Sequence, residues 1–408
     1  MTISAIVRQW IVASLVAGLC ACTSAPRVPF TAEQQAHARV PGIPDARFWS
    51  DDPPPGLRED VRNILIRARS ASPAILALSG GGGAGAFGAG LLVGWTQIGS
   101  RPEFTIVSGV SAGALIAPFA FLGPEYDPVL QQVLTLGYAS PLSQFNKLGI
   151  LSSGLPNTQV LQSLVAQFVD EPMIERIAAE HRRGRRLIVL TTNLDAQRSV
   201  VWNLGAVAAS GRPDRLEIIR SVLVASASIP GVFAPVLIDV EAEGQRFAEM
   251  HVDGGVTRNL FVAPDPVLAA GSFLPPRTSG RIFIIVNNKV APDFQLVENN
   301  ILPIIERSVS TLVKANTGSV LLSSYQFARN NRLEFNLAAI DPAYPISTAE
   351  NFDRDYMLGL FQHGIERARS GRMWQKTAVP PTSTPERAPQ GTVSSPTNQA
   401  VAASPALR

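Results

Sequence analysis

Apolar residues in the first part of the chain come in short continuous runs rather than in alternation. Ile75-Leu76-Ala77-Leu78 is one run and Phe104-Thr105-Ile106-Val107 another. Each ends in a serine and a glycine-rich turn, and each turn leads into a long apolar stretch, 87–98 and 112–122. Strands apolar on both faces, alternating with buried helices, predict a parallel sheet covered on both sides. The pattern continues along the chain. Helical spacing is predicted over 57–70, 156–168, 173–181 and 220–228, the last closed by Ile229-Pro230. Strands are expected at 187–192, 200–204, 236–240, 249–252, 281–287 and 333–340. A long helix follows at 301–329, with a break near 316–318, and a closing helix at 355–369. No internal repeat is present. The expected fold is a single α/β domain, three αβα layers deep, with a mostly parallel central sheet.

The ends of the chain read differently. Over 1–22 the only charge is Arg8, and the apolar stretch 11–21 is shorter than the ~20 residues a membrane-spanning helix needs. The segment closes with Leu19-Cys20-Ala21-Cys22. This resembles a bacterial lipoprotein signal, with Cys22 as the lipid-modified first residue of the mature protein; an ordinary secretory signal cut nearby is the alternative. Thr23 and Ser24 follow, with no aspartate. By the same resemblance this implies an outer-membrane lipoprotein facing the periplasm. Residues 23–56 are rich in proline and polar side chains and read as a tether or as a strap laid on the body. The body is expected over 57–375. From 376 to 408 the chain is mostly Pro, Ser, Thr and Ala, which predicts a disordered tail.

Composition narrows the chemistry. Hydrophobic residues make up 46% of the chain and charged residues 16%, enough for a large core. A net charge of +3 is too small to point to nucleic acid, though it leaves room for a sparse basic surface toward anionic lipid. Both cysteines, Cys20 and Cys22, lie in the leader, so the body has no disulfide and no cysteine metal site. His181, His251 and His363 show no metal-ligand spacing, and neither metal nor organic cofactor is implied.

The two glycine turns carry the chemistry. Gly109-Val110-Ser111-Ala112-Gly113, between strand and helix, has the form of a nucleophile elbow. The helix behind Ser111 favours negative charge developing there. Gly80-Gly81-Gly82-Gly83-Ala84-Gly85 offers backbone N–H groups with no side chains over them, as an oxyanion hole requires. The same loop fits the dinucleotide pattern G-x-G-x-x-G, but that pattern needs an acidic residue about 20 positions on, where this chain has the serine elbow. Serine needs a base. Asp253, in His251-Val252-Asp253-Gly254-Gly255, stands at a strand end before a sharp turn and can supply one. A triad through His251, which shares a strand face with Asp253, or through His363 is the alternative. Asn193 and Asp195 read as cap and turn residues or as the edge of a site. The run His181-Arg182-Arg183-Gly184-Arg185-Arg186 reads as a solvated helix end or as a contact for anionic headgroups. Leu115, Ile116, Phe119 and Phe121 suit a core or an acyl pocket.

Taken in order, the Gly80–Gly85 loop, the Gly109–Gly113 elbow and Asp253-Gly254-Gly255 resemble the patatin-like phospholipase family. Residues 225–235, Ala-Ser-Ala-Ser-Ile-Pro-Gly-Val-Phe-Ala-Pro, resemble that family's segment upstream of its aspartate. The similarity covers about 75–266. It implies a lipid acyl hydrolase acting on phospholipid or another lipid ester. Ser111 would be the nucleophile, Asp253 its base, and the N–H groups around Gly81, Gly82 and Gly83 the oxyanion hole. One departure is Ala84, where the family commonly has Arg or Lys. A positive contribution beside the loop is missing, while the N–H donors remain. Transfer of the acyl group to an alcohol other than water uses the same motifs. A catalytically silent lipid-binding envelope lipoprotein is the reading from another class, and Ala84 is the one feature in its favour.

Overall fold

The computed structural model describes residues 27–67, 72–137, 158–271, 274, 279–345 and 352–378. The leader, Cys22 and nearly all of the expected tail lie outside the described residues, as do positions 156–157. Nine strands form one sheet: β1 (Arg47–Trp49), β2 (Ala74–Leu78), β3 (Ile106–Val110), β4 (Arg186–Asn193), β5 (Arg198–Asn203), β6 (Val236–Ala242), β7 (Gln245–Asp253), β8 (Arg281–Val286) and β9 (Glu334–Ala339). The order is β1-β5-β4-β3-β2-β8-β9. Strands β2, β3, β4, β8 and β9 are parallel, and their C-terminal ends share one edge. β5 runs antiparallel to β4, and β1 to β5.

One pairing decides where the elbow meets Asp253. β3 ends at Val110, opposite Leu190 of β4. At the next residue of β4, Thr191, the partner becomes Asp253 of the antiparallel strand β7. β7 therefore takes up the hydrogen-bonding edge of β4 that β3 has just vacated. The residue after Val110 and the last residue of β7 are forced together at the C-terminal edge.

Twelve helices are described. They are α1 (Ala32–Ala36), α2 (Leu57–Arg67), α3 (Gly85–Gln97), α4 (Ala112–Leu122), α5 (Asp127–Gln132), α6 (Gln159–Phe168), α7 (Glu171–Arg182), α8 (Leu204–Ala209), α9 (Arg215–Ser226), α10 (Asp265–Leu268), α11 (Ile301–Asn330) and α12 (Arg354–Arg369). Leu76, Val107, Val189 and Phe283 on one sheet face share a core with Phe87 of α3, Ile116 of α4, Ile177 of α7 and Phe361 of α12. Ile75, Ile284 and Leu337 on the other face pack with Leu65 of α2 and with Leu321 and Phe327 of α11. The result is the expected three-layer α/β arrangement with a mostly parallel sheet. α11 is continuous through 316–318, where a break was expected. Asn316 there uses its side chain laterally, accepting from the Asn259 N–H at 3.3 Å and donating to the Thr257 carbonyl at 3.1 Å, so it does not compete with the helix backbone.

Of the two readings for the proline-rich segment, residues 27–56 form a strap rather than a free tether. Arg27 grips Asp195 with two bonds of 2.7 Å. α1 is closed by a Thr31–Gln34 capping box. The Arg39 N–H donates to the Glu241 carbonyl at 2.9 Å, and β1 adds an edge strand to β5. Three residues after a proline are too short to show strand periodicity, which is why β1 is not legible in the sequence. At the position where the tail was expected to start, the chain is still fastened to the sheet. The Gln375 and Leu337 backbones exchange two bonds of 2.8 Å, and Lys376 reaches the Asn336 side chain at 2.6 Å.

The strap is fastened by a buried ion pair. The side chains of Arg47 and Glu249 are 2% and 0% exposed, and the Arg47 guanidinium lies beside the rings of Trp49 and Trp202. Burial alone would raise the Glu249 carboxyl; Arg47 and His251 outweigh it and hold the group below the usual range. Removing one partner leaves a charge stranded in the core. Arg47→Met is expected to cost ~3–5 kcal/mol in urea unfolding. A loss under 1 kcal/mol would show that Glu249 finds another partner.

Candidate active site

Ser111 occupies the turn between β3 and α4 with φ 53° and ψ −125°. A side chain in this left-handed region costs ~1–3 kcal/mol, so the surroundings must hold it there. The glycines two positions either side make that possible by letting three backbones close in. A Cβ on Gly113 would fall 2.4 Å from the Leu78 carbonyl oxygen, and one on Gly109 2.3 Å from the Gly113 carbonyl oxygen. The Ser111 N–H donates to Ser226 Oγ at 3.0 Å, which fixes the turn from the side of α9. Ser111 also opens α4 as its N-cap, its carbonyl accepting the Ala114 N–H at 2.8 Å.

Asp253 lies where β7 meets the elbow. Its backbone N–H donates to the Ser228 carbonyl at 2.9 Å. Its Oδ1 accepts the Gly255 N–H at 2.7 Å, and its Oδ2 accepts the Ser111 hydroxyl at 2.6 Å. No cation pairs with this carboxylate among the described residues. Burial pushes Asp253 up to about 7, against the opposing pull of the Ser111 and Gly255 hydrogen bonds. A carboxylate that would be ionised at pH 5 in water is thus poised near neutrality.

The glycine loop runs beside them. Gly82 has φ +54° and starts a short 3₁₀ turn, Gly82–Ala84. The N–H groups of Gly81, Gly82 and Gly83 have no acceptor among the described residues, whereas Ser79, Gly80, Ala84 and Gly85 are all bonded. Two asparagines set the loop's position. Asn287, just past β8, donates from Nδ2 to the Ser79 carbonyl at 2.8 Å and accepts the Gly88 N–H at 3.1 Å, while its own N–H reaches Ser79 Oγ at 2.9 Å. Asn259 accepts the Gly80 N–H on its carbonyl at 3.0 Å and is itself held by Thr317 of α11 at 3.0 Å. Sequence reasoning passed over Ser226, Asn259 and Asn287. Asn287 opens the polar run Asn287-Asn288-Lys289 after β8 and reads there as an ordinary turn residue.

The remaining candidates fall away from this centre. His251 is fully buried, with Nδ1 2.9 Å from Thr191 Oγ1 and Nε2 3.1 Å from Glu249 Oε2. The Glu249 carboxylate can only accept and burial lowers the His251 pKa, so the neutral ring carries its proton on Nε2, toward Glu249, and Nδ1 accepts from the Thr191 hydroxyl, which itself accepts Trp202 Nε1–H. Both ring nitrogens are engaged, and neither bonds to Ser111 or Asp253. His363 packs beside Phe87 and Tyr344, with Nε2 3.7 Å from Asp341. Asn193 caps a turn through the Ala196 N–H, and Asp195 binds Arg27. Arg185 is spent on the carbonyls of Phe104 and Phe121, and Arg183 on Glu180. Leu115, Ile116, Phe119 and Phe121 are buried in the main core. A cavity of about 1090 Å³ lies at the opposite edge of the sheet, against Ile75, Ile106 and Arg186, and includes neither Ser111 nor Asp253.

Because Asn287 joins β8 to both ends of the glycine loop, Asn287→Ala is expected to cost ~1–3 kcal/mol in thermal or urea unfolding by stranding buried partners. Any catalytic activity should fall mainly in kcat, with KM little changed. A variant with native stability and native kcat would show that the loop is set without it.

Residues 76–265 match the patatin-like phospholipase family. That interval holds the glycine loop, the elbow and the Asp253 turn. Among solved structures, the chain is similar to VipD from Legionella pneumophila, with 12% identity and a TM-score of 0.35 over 74% of this chain and 67% of that one. It is similar to the type III effector protein ExoU of Pseudomonas aeruginosa, with 12% identity and a TM-score of 0.29 over 74% and 54%. It is also similar to human GIVD cytosolic phospholipase A2, with 12% identity and a TM-score of 0.31 over 63% and 48%. The chain thus spans about half the length of the last two proteins. No curated protein matches it in sequence. It is over this segment, 76–265, that the chain matches the patatin-like phospholipase family.

Proposed function

We propose that the chain hydrolyses a carboxylic ester of a membrane phospholipid or related lipid through a Ser111–Asp253 dyad and an acyl-enzyme. The observation that carries this reading is the 2.6 Å bond from the Ser111 hydroxyl to a buried Asp253 carboxylate, with no imidazole between them. Ser111 Oγ attacks the ester carbonyl carbon as its proton passes to Asp253 Oδ2. The carbonyl oxygen becomes an oxyanion, met by the free N–H groups at Gly81, Gly82 and Gly83 and by the open end of α4. Collapse of the tetrahedral intermediate breaks the C–O bond to the leaving alcohol, which takes the proton back from Asp253. Water then attacks the acyl-serine with Asp253 again accepting its proton; the acyl C–Oγ bond breaks, Asp253 returns the proton to Ser111 Oγ, and the fatty acid leaves. Ala84 puts no charge beside the loop, so oxyanion stabilisation falls to backbone dipoles. We propose further that Cys22 carries the lipid anchor of an outer-membrane lipoprotein facing the periplasm.

Ester hydrolysis with a soluble short-chain substrate tests the dyad. Ser111→Ala and Asp253→Asn should each lose at least ~10³-fold in kcat. His251→Gln should keep activity within about tenfold wherever it folds. If folded His251→Gln is as dead as Asp253→Asn, the base is not Asp253 alone. Asp253 must be ionised to accept the proton, so kcat/KM should fall tenfold per unit as pH drops below about 7. A rate unchanged between pH 5 and pH 8 would contradict this.

The raised carboxyl also has a stability signature. The native state keeps a proton that the unfolded chain, near 3.8, has lost. Stability is therefore highest below pH 4 as far as this group is concerned, and falls as pH rises through 7, by up to ~4 kcal/mol. Asp253→Asn should melt above the wild type at pH 8, with the gap closing toward pH 4. A gap that does not change with pH would show that burial does not shift this group.

A further inference from the structure

α11 is two helices in one. Its C-terminal half is packed on the sheet through Val320, Leu321, Phe327 and Ala328. Its N-terminal half is not: among the described side chains of 301–316, none is buried. That half extends for ~22 Å at 1.5 Å per residue. Ile301, Ile304, Ile305, Val309 and Leu312 are all exposed along it, Ile301 and Leu312 by 69% and 70%. Their spacing places them on one stripe. The preceding loop adds Phe294 and Leu296, 93% and 86% exposed. The loop is pinned to the helix, since Asp293 is held by both Arg307 and Lys314. Singly exposed apolar residues are ordinary, but five on one helix stripe, with two more on the loop that leads into the helix, mark a docking surface.

The position of the band says what docks. α11 crosses from the end of β8 to the start of β9, so its N-terminal half stands at the C-terminal edge of the parallel strands, where Ser111 lies. Its foot, Asn316 and Thr317, holds Asn259 beside the glycine loop. On the far side of the elbow, Arg27 is clamped to Asp195 just beyond the end of β4, at the same edge. Arg27 is only five positions on from Cys22, a reach of at most ~18 Å. A lipid on Cys22 therefore holds this edge, and not its opposite, near the bilayer. The apolar band and the anchor flank the elbow.

We infer that Phe294, Leu296 and the exposed stripe of α11 form a bilayer-docking surface that seats the catalytic edge on the membrane carrying the chain. The inference rests on the proposed lipid hydrolysis, which gives the edge a reason to meet lipid. The docking surface supplies apolar contact, and the short anchor fixes which face it is offered to.

The test uses the full chain with Cys20→Ser, Cys22→Ser and Ser111→Ala, so that neither anchor nor turnover contributes. Single cysteines at Phe294→Cys, Leu312→Cys and, as control on the packed half, Leu322→Cys carry a nitrobenzoxadiazole reporter. Vesicles of equal parts phosphatidylethanolamine and phosphatidylglycerol should raise emission severalfold at 294 and 312 and leave 322 unchanged. The leader can attach the chain to vesicles by itself, so the contrast between positions decides. Equal responses at all three, or none at 294 and 312, would overturn the docking surface whatever the enzyme does. A rise at 312 without vesicles, accompanied by a dimer in light scattering, would overturn it in favour of a second copy. In the catalytically intact chain, Phe294→Ser, Leu296→Ser and Leu312→Ser combined should cut vesicle hydrolysis about tenfold and leave the soluble short-chain ester rate unchanged. Equal loss on both substrates would also count against docking. An intact parent inactive on both substrates would sink the Ser111–Asp253 reading, and the reporter contrast would still decide docking.

Discussion

Everything at this site depends on β7 pairing with β4 where β3 stops. Parallel strands deliver their turns to one edge, but a loop aspartate at that edge would have a wide choice of positions. Here Asp253 is the last residue of a ladder, opposite Thr191, and its backbone N–H is tied to Ser228. The ladder fixes the carboxylate to within the tolerance of a hydrogen bond. It also buries it, and burial is what raises its proton affinity toward neutrality. Position and basicity come from the same pairing.

The strain at Ser111 belongs to the same economy of space. A left-handed serine survives because its N–H is taken by Ser226, the following residues start a helix, and glycines admit the neighbouring backbones. The buried cluster under β7 does complementary work. Arg47 neutralises Glu249, and Glu249 with Thr191 saturates His251. The histidine nearest Asp253 in sequence is thereby committed to fastening the strap. It is structural support for the strand that ends in Asp253.

Much of this was legible in the sequence because it is local. Continuous apolar runs gave the parallel strands, and glycines at fixed offsets gave the elbow and the donor loop. What was hidden is long-range. Asn287 and Asn259 act on a loop about two hundred residues away in sequence, and nothing local distinguishes them from turn residues. β1 is three residues long, and its pairing with β5 is set by Arg47 finding Glu249, a match no periodicity encodes. The break expected in α11 failed for the opposite reason. Asn316 and Thr317 look like breakers, yet their polar groups are used sideways, on Thr257, Asn259 and the helix's own carbonyls.

The central claim is that Ser111 is a nucleophile activated by Asp253. Fluorophosphonate labelling followed by intact-mass and peptide analysis measures this without knowledge of the substrate. The account predicts one adduct per chain, on the peptide containing Ser111, formed faster as pH rises through about 7. It predicts no adduct in Ser111→Ala and a greatly slowed one in Asp253→Asn. A folded protein that takes up no label, or takes it up at another residue with Ser111→Ala unaffected, would contradict it.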